Sequence, residues 1–270
     1  MKLNTFFGVA FLLASVSTIQ VSAQSGISVS PSRLYYNNTA AGAKTQKVII
    51  SNPTDKPLQV GVSVSDWAYD SVGNNRIVDA GKLPNSAAAA VKVLEGAFFT
   101  LKPHEEKKLT VQFSSSSIKK TATEPYHTSM LFFTQLNPGA AATTNGAAIK
   151  VTVRMGVKIY HINNPEETPI LMITNLKDRS GADGGKTLIL SMANSGKIWA
   201  DGQCKWELLN SATGVKTSLS ESPFYTLPGD SRKLKKELPA NLPKGKYTAT
   251  AIVTYGKDKE IKVAELEFAL

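Results

Sequence analysis

Alternation of apolar and polar side chains is the feature that most constrains how this chain folds. In several short runs an apolar residue occupies every second position, and Gly, Pro, Asn and Ser bound the runs. This period of two is typical of a β-strand with one buried face, whereas a helix would repeat every 3.6 residues. The clearest runs are residues 58–64, 109–113, 149–153, 187–192, 247–253 and 261–268. Short strands at this spacing predict an all-β chain built from β-sandwiches.

A polar, proline-containing stretch divides the chain into two parts. Residues 163–169 carry Pro165 and Pro169 among polar residues, directly after a long apolar–polar run. Such a composition is typical of a linker between domains. We therefore predict one sandwich domain over residues 24–162 and a second over residues 163–270, because each part is long enough for seven strands.

The first residues have the pattern of an export signal. Lys2 precedes an uncharged, largely apolar run, and Val21-Ser22-Ala23 fits a small-x-small cleavage site. The apolar run is too short for a convincing membrane span, and no later segment approaches about 20 apolar residues. We predict a signal peptide over residues 1–23, a mature chain without a transmembrane segment, and export from the cytoplasm.

Charge and cysteine content narrow the classes of partner. The formal net charge is +10, but the basic residues are scattered, and short runs such as Arg232-Lys233 fit solvated strand faces. Since the pattern lacks a basic–aromatic repeat and an export signal precedes it, we expect no nucleic-acid partner. Cys204 is the single cysteine and lies in an alternating run, which favours a small buried side chain over a reactive thiol.

The sequence lacks a recognisable arrangement of catalytic or metal-binding residues. His104, His127 and His161 are far apart and do not have metal-ligand spacing, so surface or structural roles are favoured. No Gly-x-Ser-x-Gly motif occurs, and Cys204 has no catalytic surroundings. We therefore predict no catalytic site, no metal and no cofactor.

Two segments carry more information than an ordinary sandwich requires. In the first, residues 27–36, Pro31 interrupts a strand and removes one backbone donor, so this strand should lie at an edge or switch sheets. Arg33 is the one charged residue of that segment. Taken on its own, Arg33 is better explained as an outward-facing surface side chain.

The second segment, residues 147–160, alternates over more residues than a typical strand. Its apolar row includes Ile149, Val151 and Val153, and Lys150, Arg154 and Lys158 alternate with that row. A long strand at the end of a domain can offer its backbone to a guest with an incomplete sheet, which is β-augmentation. The alternative is a last strand buried in its own core.

Together these segments resemble the PapD-type periplasmic pilus chaperones. The resemblance covers most of residues 24–162 and is looser afterwards. It implies two immunoglobulin-like domains in an L-shaped arrangement. The matching stretches are Ser32-Arg33-Leu34-Tyr35-Tyr36, the strand–turn–strand pattern of residues 98–111, and Val157-Lys158-Ile159-Tyr160, which is similar to the family's Ile-Lys-Leu-Phe-Tyr.

The resemblance implies roles for individual residues. Arg33 and Lys158 match the cations that grip the C-terminal carboxylate of a guest subunit. Ile149, Val151 and Val153 match the donated apolar row. Strict alternation puts Lys158 on the opposite face from that row, which a bulge or strong twist at Gly156 would reconcile.

The sequence departs from the family in two places, which leaves the guest and the interdomain contacts open. Residues 123–129 replace the family's Leu-Pro-x-Asp-Arg-Glu-Ser segment, and Tyr160-His161-Ile162 replaces its Tyr-Arg-Pro.

The resulting hypothesis is a periplasmic, non-enzymatic chaperone that stabilises exported pilus or surface-fibre subunits by donor-strand complementation. An outer-membrane usher is left open as a second partner. Two alternatives from other classes also stay open. One is a structural or adhesive cell-surface protein with immunoglobulin-like modules. The other is a carbohydrate-binding module, for which Trp67, Trp199 and Trp206 would supply stacking surfaces.

Overall fold

A computed structural model describes residues 26–37, 43–118, 124–138, 143–144, 147–148, 151–181 and 185–270. The signal peptide predicted over residues 1–23 lies outside these residues, as do Ile149 and Lys150. The leading strands are β1 (Ser28–Ser30), β2 (Arg33–Asn37), β3 (Lys44–Ser51), β4 (Leu58–Tyr69), β5 (Asn75–Val78), β6 (Val91–Val93), β7 (Phe98–Leu101), β8 (Glu106–Phe113), β9 (Tyr126–Gln135), β10 (Thr143–Thr144), β11 (Ala147–Ala148) and β12 (Arg154–Ile162). Short 3₁₀ turns lie at Ala88–Ala90 and Ser115–Ser117. The following strands are β13 (Leu171–Ser180), β14 (Lys186–Asn194), β15 (Ala200–Asn210), β16 (Lys216–Thr226), β17 (Ser231–Glu237), β18 (Lys246–Tyr255) and β19 (Glu260–Ala269).

Apart from the short β10–β11 pair, the leading strands form two sheets around one apolar core. One sheet has the order β1-β3-β8-β6, and the other has the order β2-β12-β9-β4-β5, with β7 also paired to β4. Alternate side chains of both sheets point into the space between them, as the period of two predicts. Fully buried members of this core include Val48, Leu109 and Val111 from the first sheet and Val60, Leu131, Val157 and Ile159 from the second.

The strands after residue 170 form a second sandwich with its own core. Its sheets have the orders β13-β14-β17 and β16-β15-β18-β19. Trp206 and Cys204 are fully buried in its core, and burial raises the pKa of the Cys204 thiol to about 12. The prediction of an all-β chain made of two sandwiches is confirmed, and so is a buried, unreactive setting for Cys204.

Pro31 marks the place where the first strand changes sheets. β1 pairs antiparallel with β3, and after Pro31 the chain continues as β2, which pairs parallel with β12 in the other sheet. β2 is the outermost strand of that sheet. Because proline cannot donate a backbone hydrogen bond, a transition between ladders is a position where it does not disrupt pairing.

β12 is shorter than the sequence pattern indicated. We expected one strand over residues 147–160, but β11 ends at Ala148 and β12 begins at Arg154, so Val151 and Val153 lie outside a strand. The physical reason is the lack of a partner. β9 pairs with β12 only as far as Thr134, and beyond it the Gln135 amide donates to the Val153 carbonyl as the last contact.

Among the residues that the structure describes, no helix is long and apolar enough to cross a membrane.

Candidate functional site: a cationic cleft between the two sandwiches

The two cations singled out by the sequence lie side by side. β2 and β12 are parallel, and their register pairs Arg33 directly with Lys158. On β12, Val157 and Ile159 point into the core, so Lys158 and Tyr160 point outward, toward the second sandwich. The strand switch at Pro31 is what brings Arg33 to this position.

Lys158 is held by aromatic side chains. Its Nζ lies 4.2 Å from the ring centroid of Trp67 and 4.3 Å from that of Tyr69, and it donates to the Tyr69 hydroxyl at 2.7 Å. Burial, together with the positive charges of Arg33 and Arg232, lowers the pKa of the Lys158 ammonium to about 7. A lysine held so close to neutrality is typical of functional sites.

Arg33 reaches across to the second sandwich. Its guanidinium lies 4.1 Å from the ring centroid of Tyr225 on β16, and its buried Nε has no hydrogen-bond partner in the described residues. Tyr35 and Tyr160 stack beside it, with ring centroids 5.1 Å apart. The two cations therefore lie among aromatic side chains where the two sandwiches face each other, in the region that we call the cleft.

Arg232, on β17 of the second sandwich, is a member of this site that the sequence analysis assigned to solvated strand faces. That assignment is wrong for Arg232, which is only 5% exposed. Its carbon Cζ lies 4.9 Å from the Tyr69 ring centroid. One sequence signal could have shown this, because Arg232 is in phase with the buried Leu234 and not with the exposed Lys233.

The three cations lack a counter-ion in the part of the chain that the structure describes. No Asp or Glu oxygen lies within 4.0 Å of the charged nitrogens of Arg33, Lys158 or Arg232 there. Like charges gathered in a partly desolvated cleft are unfavourable unless an anion joins them. The arrangement is suited to bind a carboxylate or another small anion.

Only part of the predicted donor row, Val151 and Val153, lies within the described residues. Ile149 lies outside the described residues. Val151 is 69% exposed, whereas Val153 is half-buried and packs against the core of its own sandwich. In the described part of the row, Val153 therefore contacts the core and Val151 is exposed to solvent.

Gly156 does not form the bulge that we expected. β12 pairs with β9 from Arg154 to Ile162 without a register shift. The glycine instead makes room on the outer face, since a Cβ there would lie 2.8 Å from Met130 Sδ and 3.1 Å from Phe132 Cε1. Lys158 and Val153 therefore do face opposite sides, as strict alternation requires.

Several solved structures have a fold similar to that of this chain. No family model and no curated protein matches the chain. The chain is similar in fold to fimbrial chaperones. One match is the structure of the CsuC–CsuE chaperone–tip adhesion subunit pre-assembly complex from archaic chaperone-usher Csu pili of Acinetobacter baumannii, at 13% identity, with 90% of this chain and 98% of that chain covered and a TM-score of 0.47.

Two further matches are of the same kind. The class 5 fimbriae chaperone CfaA matches at 12% identity, 90% and 98% coverage and a TM-score of 0.44. The Salmonella enterica SafA pilin complex with the SafB chaperone matches at 12% identity, 91% and 96% coverage and a TM-score of 0.43. Similarities this distant concern the fold alone.

The tryptophans do not form a carbohydrate-binding surface. Trp67 and Trp206 are fully buried, and their Nε1 atoms donate to the Ser129 carbonyl and the Ser222 hydroxyl. Trp199 packs between the sandwiches, with its ring centroid 4.9 Å from that of Tyr160. Stacking on a sugar would need a row of exposed, coplanar rings. These three tryptophans do not form such a row.

Two histidines that are distant in sequence meet in the leading sandwich. His127 on β9 and His161 on β12 are register partners, their Nδ1 atoms are 3.4 Å apart, and both are buried. Among the described residues, no three His, Cys, Asp or Glu side chains group as metal ligands would. The two rings thus lie side by side on neighbouring strands of the leading sandwich.

Proposed function

We propose that the mature protein is a periplasmic, non-enzymatic chaperone that binds exported pilus-type subunits by donor-strand complementation. The observation that carries this proposal is the pairing of Arg33 with Lys158 in a cleft where neither has a carboxylate partner among the described residues. The periplasmic location is part of the proposal and follows from the leader pattern of residues 1–23.

The cations would fix the position of the guest subunit's C-terminus. A subunit's C-terminal carboxylate would accept charge-assisted hydrogen bonds from Arg33 and Lys158, which are stronger than neutral ones and directional. Because the two residues lie in register on neighbouring strands, the carboxylate would set the register of the guest chain along β12. A one-residue slip would put every guest side chain on the wrong face.

The free side of β12 would supply the strand contacts. In the described residues β2 pairs only with Lys158–Ile162, so no strand pairs with that side of residues 154–157. A guest strand there would gain backbone hydrogen bonds for affinity and side-chain contacts for selectivity. Val151 precedes this edge, and burying its exposed side chain would contribute about 1.5–3 kcal/mol before ordering costs.

Co-purification from the periplasm tests the proposal. The tagged chain is expressed in a piliated Gram-negative host, isolated from the periplasm, and its co-eluting proteins are identified by mass spectrometry. We expect exported subunits with an incomplete sheet. A chain that instead fractionates with the cell surface would support the structural or adhesive alternative and overturn the proposal.

Matched variants then test the anchor. Arg33→Ala and Lys158→Ala should lose capture of the identified subunit while keeping the melting transition of the parent. Arg76→Ala and Lys108→Ala remove exposed cations elsewhere on the leading sandwich and should capture normally. Full capture by both cleft variants would remove the carboxylate anchor.

A second pair of variants tests the donor row. Val151→Asp places a charge on the exposed row and should reduce capture about tenfold or more, with a change in stability within about 0.5 kcal/mol. Val215→Asp, at another exposed valine in the second sandwich, is the control and should capture like the parent. Equal capture by the two would exclude the row as a contact surface.

A further inference from the structure

Arg232 has the unmet bonding capacity of a binding residue. Its Nη2 donates to the Tyr225 carbonyl at 2.5 Å, but its buried Nε and Nη1 have no hydrogen-bond partner in the described residues. Burying a guanidinium without partners is costly, so such a group in a native fold calls for a reason. A ligand that completes its hydrogen bonds would be one.

Two tyrosines connect Arg232 to the anchor cations. The Tyr69 ring lies 4.9 Å from Arg232 Cζ and 4.3 Å from Lys158 Nζ, so both cations contact the same ring. Tyr225 contacts Arg33 through its ring and Arg232 through its backbone carbonyl. Lys158 and Arg33 are thus each linked to Arg232 through one shared tyrosine, and both sandwiches contribute to this group.

The nearest acidic groups are occupied elsewhere. Asp70 and Asp230 act on Arg232 electrostatically, but neither forms an ion pair with it. Asp70 Oδ1 accepts from three amides of its own loop, and Asp230 Oδ2 accepts from the Leu227 amide. Both carboxylates therefore offset part of the charge of Arg232 without bonding to it, and its Nε and Nη1 keep unused hydrogen-bonding capacity.

We propose that Arg232 is a third anion-binding residue, so that a bound carboxylate is held by both sandwiches at once. The proposal rests on the proposed function, because it concerns the same carboxylate. A carboxylate can accept about four hydrogen bonds, which is enough for three cations. Arg232 stays charged at every relevant pH, so it keeps the site positive even when Lys158 is neutral.

The surroundings of Arg232 keep its guanidinium in place. A Cβ on Gly73 would lie 1.9 Å from Arg232 Nη1, so the loop that follows β4 lies directly against it. In the same place the Lys233 amide donates to the Ser71 carbonyl at 2.7 Å, which joins the two sandwiches through their backbones. Arg232 is thus presented to the cleft by an interdomain contact.

Nitrogen-detected NMR of arginine side chains tests this directly. The full mature chain, labelled with ¹⁵N, is titrated with sodium acetate at constant ionic strength, and the Nε–H signals of Arg33 and Arg232 are followed. We expect both signals to shift with one dissociation constant. A shift of Arg33 alone would overturn the role of Arg232 and leave the proposed anchor intact, whereas no shift of either would count against both.

Variants and a second anion complete the test. Arg232→Met should weaken acetate binding about tenfold or more, as expected for loss of a hydrogen bond to a charged group, while the Arg33 signal still responds. Lys233→Met removes the exposed neighbouring cation and should bind like the parent, and a loss of equal size in that variant would overturn the assignment. Tighter binding of inorganic phosphate than of acetate would overturn the choice of a carboxylate.

Discussion

At the scale of single residues, the cleft keeps Lys158 close to the neutral form, and this has consequences for binding. The groups that face it are Arg33 and Arg232, which oppose its charge, and Trp67, Tyr69 and Tyr160, which bury it. A bound carboxylate would add a negative charge next to Lys158. It would therefore raise the pKa of Lys158 and draw a proton onto it.

Carboxylate binding should accordingly weaken as the pH rises. Free Lys158 has a pKa of about 7, so above pH 7 carboxylate binding must be accompanied by uptake of a proton by Lys158 from the solvent, and the affinity should fall steadily between pH 7 and pH 9. Calorimetry in buffers of different ionisation enthalpy, with a peptide ending in a free carboxylate, should show proton uptake. In Lys158→Met both the uptake and this pH dependence should vanish, and a parent protein without either would contradict the low pKa.

A second residue-scale effect concerns the buried His127–His161 pair. Burial lowers the pKa of both rings, that of His161 to about 4, with His127 and Lys44 adding to the shift of His161. Phe113 stacks on His161, with ring centroids 4.6 Å apart. Both rings are therefore neutral in the fold, while an unfolded chain binds protons near pH 6.5.

The sign of the effect on stability follows from that difference. Above about pH 6.5 the histidines are neutral in both states, and below it the unfolded chain binds more protons, so stability falls as the pH drops from about 6.5 toward 4. Urea unfolding at pH 7.5 and pH 4.5 should show a loss on the order of 2 kcal/mol in the parent beyond that in His161→Gln. An equal loss in both proteins would contradict a neutral, buried His161.

At the scale of elements, β12 has two different tasks on its two faces. Its odd-numbered residues, such as Val157 and Ile159, belong to the core, and Lys158 between them belongs to the cleft. Its two edges differ as well, since β9 covers one edge throughout and β2 covers only part of the other. One strand can thus stabilise the sandwich and present binding groups at the same time.

Neighbouring substitutions on β12 should separate these tasks. Ile159→Ala leaves a cavity in a fully buried site and should lower the free energy of unfolding by about 2–5 kcal/mol. Lys158→Ala, one residue away, should leave the free energy of unfolding nearly unchanged or raise it, because it relieves repulsion among cations. Chemical denaturation of both variants checks this, and a similar destabilisation in the two would contradict the alternation.

At the scale of the whole molecule, the two sandwiches meet through an aromatic cluster next to the cations. Trp67, Tyr126 and Tyr160 of the leading sandwich pack with Leu227 of the second, and Trp199 covers their edge. Leu227 is only 3% exposed. Since the cations come from both sandwiches, this contact also determines how close Arg232 lies to Arg33 and Lys158.

Loosening that contact should uncouple the sandwiches. Leu227→Ala removes the apolar side chain that the second sandwich contributes to the cluster, at a cost of about 2–5 kcal/mol to the contact. Calorimetry should then resolve two transitions, or move them further apart than in the parent. Leu209→Ala, at a half-exposed site of the second sandwich, is the control and should leave the profile of the parent unchanged.

The sequence by itself determined the local properties of this protein. The period of two separated Ile159 from Lys158, the length and the prolines favoured two sandwiches, and Pro31 predicted an edge strand or a change of sheet beside Arg33. These are properties of neighbouring residues, and the geometry of a strand repeats every two residues whatever the rest of the chain does.

Only the tertiary structure decided which distant residues meet. That Arg232 joins Arg33 and Lys158 depends on how the second sandwich packs on the first, and that His127 meets His161 depends on the register of β9 with β12. That β12 begins only at Arg154 depends on where β9 ends, because Thr134 is the last register partner that β9 offers. Such contacts arise from pairings between strands far apart in sequence, which a local pattern of apolar and polar residues does not encode.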